Sequence, residues 1–92
     1  KAMGQRIVKR KKHTEHYQRH NLQRSIHAAC LSVHDFTGAA ELTAEHVCNH
    51  VDSWLEDKLE VTSHDLRLTA SRYLEQYNPS AALVYVTHMD VN

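Results

Sequence analysis

Four consecutive cations, Lys9-Arg10-Lys11-Lys12, are the densest chemistry in this sequence. They follow Ile7 and Val8, β-branched residues that favour an extended segment. Alternate residues on a strand share a face, so Lys9 and Lys11 fall with Ile7, and Arg10 and Lys12 fall with Val8. One such pair can meet a phosphate while the other stays in water. The plainer use of the same residues is an edge strand whose lysines discourage pairing with another chain.

Nine histidines and two cysteines offer further chemistry. His46 and His50 are four apart, a helical spacing that turns both toward one ion; His16 and His20 share the spacing but straddle an expected helix start. Zinc asks for three or four ligands, and the sequence supplies only loose pairs, so no metal is expected and solvent-facing histidines are the working assumption. Cys48, two residues from both His46 and His50, points away from them on a helix. His27 and Cys30 are spaced for a thiol–imidazole pair. Cys30 falls on an apolar stripe, however, and buried free thiols in a cytoplasmic protein are the expected state of both cysteines.

Several chemistries are excluded by what the sequence does not contain. Two glycines cannot build a Gly-rich phosphate loop, and there is no Gly-x-Ser-x-Gly elbow or His-Glu-x-x-His motif. No stretch approaches the roughly 20 apolar residues of a membrane span. The basic start is followed by no apolar run, so no secretory signal is expected. With 92 residues, 41 % of them apolar, the chain is expected to be one globular domain. Residues 1–4 read as a tag or disordered start, with Met3 as the native beginning, and residues 5–92 as the domain. The net charge of zero divides into +7 over residues 1–27 and −7 over residues 28–92. That split suits either an anion site at one end or attraction between the two parts.

The elements that must position these residues follow from periodicity. Residues 5–12 read as a strand and His13 to Tyr17 as a turn and a second short strand. Leu22, Ile26, Ala29, Cys30 and Val33 form the stripe of a first helix over 19–33. Gly38 and its polar neighbours are expected to break the chain. A second helix over 39–58 carries Ala40, Ala44, Val47, Cys48, Val51, Trp54 and Leu55. Leu59-Glu60-Val61 is a short extended piece. Thr62 and Ser63 offer the cap of a third helix, with Asp65 three residues after Thr62 at a capping-box spacing; that helix ends near Tyr77, with Leu66, Ala70, Tyr73, Leu74 and Tyr77 inward. Asn78-Pro79 ends that helix and opens a fourth, which reaches Met89 and is apolar on most sides, as a central or interface helix would be.

The order of these pieces resembles the ATP-cone domain over nearly all of residues 5–90. The likeness rests on Ile7-Val8-Lys9-Arg10, on Tyr17 before a helix with Asn21-Leu22 and Arg24-Ser25-Ile26, on Val61 to Leu66, and on Asn78-Pro79 followed by Ala81 to Tyr85. The resemblance implies an α+β, mostly α fold, a four-helix bundle capped by a small three-stranded β-sheet. It implies a non-catalytic module that binds ATP or dATP, with magnesium as a companion ion. Such modules regulate ribonucleotide reductases and their transcriptional repressor. Carried over by position, the nucleotide-binding residues would be Ile7, Val8, Lys9, Arg10, Lys11, Lys12, Asn21 and Thr62. The family's Lys-Arg pair is kept as Lys9-Arg10 and its Thr-Ser as Thr62-Ser63. Its Asp-Gly turn is replaced by Lys11-Lys12, its Phe-Asp by Tyr17-Gln18, and a helix-one lysine by Asn21.

The expected function is therefore a cytoplasmic, nucleotide-gated allosteric module acting through its own oligomer or a protein partner. The alternative is a protein-interaction module that kept the fold with a degenerate nucleotide site. A nucleic-acid partner is disfavoured, because no exposed aromatic accompanies the basic strand for base stacking.

Overall fold

The computed structural model describes the backbone of residues 6–8 and 14–89 and the side chains of residues 17–88. In chain order the elements are β1 (Arg6–Val8), β2 (Thr14–His16), α1 (Arg19–Ser32), α2 (Thr37–Leu55), β3 (Glu60–Thr62), α3 (Ser63–Tyr77) and α4 (Pro79–Met89). Each helix packs against two others, α1 on α2 and α4, and α3 on α2 and α4, so the four close around one core.

That core is the set of apolar stripes. Leu22, Ile26, Ala29 and Cys30 come from α1, and Ala40, Ala44, Val47, Cys48, Val51 and Leu55 from α2. Ala70 and Leu74 of α3 and Ala81, Ala82 and Tyr85 of α4 complete it. Ile26, Leu55, Leu74, Val47 and Val51 are wholly buried. Burying each of these contributes about 1.5–3 kcal/mol before chain entropy is set against it.

The fold class expected from the sequence, an α+β bundle capped by a three-stranded sheet, is corrected. Over residues 17–89 the chain is 81 % helical, and β3 is the one short strand among them. Only Val61 of β3 is buried; Glu60 and Thr62 are exposed. The other β content is backbone pairing of three residues at a time. β1 runs antiparallel to β2, with Ile7 opposite Glu15, and parallel to β3, with Ile7 opposite Val61. Three residues at ~3.3 Å each span ~10 Å, short for a sheet layer. The chain is a helical bundle.

The break between α1 and α2 also differs from expectation. Gly38 does not interrupt the chain; it lies in the first turn of α2. The stop is made at His34, in the left-handed region at φ 68°. His34 N–H donates to the Leu31 carbonyl at 3.0 Å and Asp35 N–H to the Cys30 carbonyl at 3.1 Å. This is the Schellman pattern, with histidine where glycine is usual. Thr62 caps α3 as expected, its Oγ1 accepting from Asp65 N–H at 3.0 Å. Asn78 joins two turns: its Oδ1 accepts from Ala81 N–H at 3.1 Å, capping α4, and its Nδ2 donates to Asp35 Oδ2 at 3.2 Å.

Of the residues expected inward, Tyr77 is 43 % exposed, while Leu66, Tyr73, Val33 and Trp54 pack partly buried against the core. On α4, expected to be apolar on most sides, Val84 packs on the core and Leu83 and Val86 are 70 % and 38 % exposed.

Candidate functional site

Helix α1 has two faces. The stripe of Leu22, Ile26, Ala29 and Cys30 is spent on the core. Asn21, Arg24, Ser25 and Ala28 fall at three-, four- and seven-residue spacing on the other side, where helical geometry stacks them as neighbours. With His27 they line a concave surface of about 550 Å³. Ser25 Oγ donates to the Asn21 carbonyl at 3.0 Å, and the Asn21 side chain is exposed. The Arg24 guanidinium makes no ion pair among the described residues. His27 is half-buried and its Nε2 is buried without a hydrogen-bond partner. A cation and an amide around one concavity suit an anionic, hydrogen-bonding ligand; the buried His27 nitrogen is closed off from it.

The residues expected to bind nucleotide fall unevenly on this geometry. Asn21 lines the concavity; Thr62 is not among its lining residues. The Thr62 hydroxyl is engaged as the cap of α3, which gives it a structural duty of its own. Ile7 and Val8 lie on β1, described by backbone alone, and Lys9, Arg10, Lys11 and Lys12 lie outside the described residues. Arg24 and His27 were missed as ligand candidates. The spacing from Asn21 would have found Arg24; the sequence marked His27 only as a candidate partner of Cys30.

A polar cluster secures the start of α1 against α2. Tyr17 Oη donates to Asp52 Oδ1 at 2.9 Å, and Arg19 forms a salt bridge to the other carboxylate oxygen. Arg19 also donates to Asn49 Oδ1 at 3.0 Å. Tyr17 is 5 % exposed, and burial together with the Asp52 carboxylate pushes its phenol well above the ordinary tyrosine range. The cluster sits next to Cys48, whose thiol is pushed up to about 11, first by burial. Cys30 is likewise pushed up to about 11, by burial and then by Asp35. Protonated, buried thiols are poor nucleophiles and poor metal ligands. No hydrogen bond joins His27 to Cys30.

A second side-chain cluster lies on the seam between α2 and α3. His46 stacks on Tyr77 with ring centroids 5.6 Å apart and planes 4° from parallel, and His50 stacks on Tyr73 at 4.8 Å and 12°. His50 Nε2 is 3.1 Å from Tyr77 Oη, within hydrogen-bond distance. Among the described residues no group of three His, Cys, Asp or Glu converges as a metal site.

Compared with known proteins, the chain matches no family model, and no curated protein matches it. No helix among the described residues is long and apolar enough to cross a membrane.

Proposed function

We propose that this chain is a non-catalytic ATP- or dATP-binding regulatory module of the ATP-cone type, acting through its own assembly or a partner. The observation that carries the reading is the concave outer face of α1, lined by Asn21, Arg24 and Ser25. Arg24 supplies a cation one turn from Asn21, where the resemblance had lost one. The basic segment Lys9 to Lys12 belongs to the same +7 third of the chain as this helix, so the charge that a polyphosphate requires is concentrated in its first 27 residues.

Nucleotide can bias an assembly only by binding its two states with different affinity. The test is a calorimetric titration of ATP, dATP and ADP with magnesium, repeated on Lys9→Glu/Arg10→Glu. Saturable binding that the double charge reversal abolishes in a folded chain supports the reading. Unchanged affinity in the reversed variant defeats it.

One observation favours the alternative, a protein-interaction module with a degenerate nucleotide site. Leu83 and Val86 of α4 stand 70 % and 38 % exposed on an otherwise apolar helix. Under this reading light scattering finds a dimer or larger assembly that nucleotide does not alter.

A further inference from the structure

The sequence pairs His46 with His50 and supplies nothing else to an ion. The fold adds a third donor from a different helix. Tyr77 of α3 brings its hydroxyl oxygen to 3.1 Å from His50 Nε2, while its ring lies parallel to that of His46. Two imidazoles one helical turn apart thus flank one phenol on the α2–α3 seam, His46 against its ring face and His50 at its hydroxyl, and His46, His50 and Tyr77 are all solvent-exposed.

We infer that His46, His50 and Tyr77 form a site for a late first-row divalent ion of the zinc class, joining α2 to α3. Three features of the chemistry carry this. Imidazoles four apart on a helix lie on one face, the arrangement that metal-binding helices use. A tetrahedral ion with bonds of ~2.0 Å holds its ligands about 3.3 Å apart; the His50–Tyr77 separation of 3.1 Å is close to that edge. Two nitrogens and one oxygen suit Zn²⁺, Cu²⁺ or Ni²⁺ rather than calcium or magnesium, and leave coordination positions for water. The stacking of His50 on Tyr73 holds that ring against α3, so less side-chain freedom is lost when an ion binds.

An ion bound only by the native seam stabilises the fold by mass action. The site is separate from the concavity on α1, so its success or failure leaves the nucleotide reading where it was.

The test titrates Zn²⁺ into the full chain in a non-chelating buffer, reading heat and melting temperature, for the wild type and for His46→Ala, His50→Ala and Tyr77→Phe. The wild type is expected to bind one ion at this site with a dissociation constant in the micromolar range. Each histidine variant is expected to lose about tenfold or more in affinity. Tyr77→Phe keeps the ring and removes the oxygen, so a folded protein with weakened binding identifies the third ligand. Absence of saturable binding in the wild type overturns the inference. So does binding that survives His50→Ala, which would put the ion on other histidines, and so does Tyr77→Phe binding as tightly as wild type.

Discussion

The Tyr17 hydroxyl donates to Asp52 Oδ1 at 2.9 Å, tying the residue just after β2 to the last turn of α2. With Arg19 on the other carboxylate oxygen, this is where the chain's basic start is joined to its acidic remainder. Tyr17→Phe keeps the buried ring and removes one hydrogen bond, so it is expected to cost about 1 kcal/mol in urea denaturation. Asp52→Ala is expected to cost more, because it leaves a buried phenol and a half-buried guanidinium without their acceptor. Equal stability of both variants with the wild type would mean that the cluster contributes nothing.

Alkali should loosen the fold in a defined window. Cys30 and Cys48 ionise near 9 in an unfolded chain and are pushed up to about 11 in the fold, and Tyr17 and Tyr85 are raised beyond the ordinary tyrosine range. The unfolded chain therefore gives up these protons first. The contribution of the cysteines is fully present below pH 9 and falls as pH rises through 11, and that of the tyrosines begins to fall above pH 10. Denaturation midpoints measured at pH 8, 9.5 and 11 are expected to decline steadily. A Cys30→Ala/Cys48→Ala variant should decline less.

The turn between α1 and α2 is open to improvement. His34 occupies a left-handed position that glycine adopts without strain, so His34→Gly is expected to stabilise by about 0.5–1 kcal/mol. Gly38 lies on α2 with open space where a Cβ would stand. Gly38→Ala is expected to add about 0.5 kcal/mol by its better helix propensity. Thermal melts of the two single variants and the double variant check both values.

Thr62 separates capping from ligand binding. Its Oγ1 accepts from Asp65 N–H, so Thr62→Ala is expected to cost about 1 kcal/mol while Thr62→Ser costs little. Under the proposed function, nucleotide affinity follows Asn21 and Arg24 more closely than Thr62. Thr62→Ala that leaves stability intact and removes ATP binding would make the hydroxyl a ligand rather than a cap.

The helices were legible because their stripes are regular. Leu22 to Cys30 and Ala40 to Leu55 have three-and-four spacing, and Asn78-Pro79 marks the α3–α4 junction as expected. The fold class was not, because three-residue pairings such as Ile7 opposite Val61 place a single side chain of β3 in the core and build no layer. Glycine misled at position 38 because a histidine performs the left-handed stop four residues earlier. Tyr77 obeys the apolar period yet lies half-exposed at the α2–α3 seam, since periodicity marks one face of a helix but not which neighbours cover it. At the candidate site Asn21 was legible through the resemblance and Arg24 was legible in principle by spacing. The unsatisfied His27 nitrogen and the Tyr77 hydroxyl beside His50 depend on tertiary packing and leave no mark in the sequence.

A nucleotide on the outer face of α1 would set its phosphates against Arg24, so charge reversal there probes the site. ATP with magnesium should be titrated into the wild type and Arg24→Glu by calorimetry, with denaturation curves confirming that both are folded. The wild type is expected to bind saturably in the micromolar range, about −8 kcal/mol, and to lose about tenfold or more on charge reversal. No heat at millimolar ATP in the wild type, or equal affinity in the two proteins, would contradict a nucleotide site there.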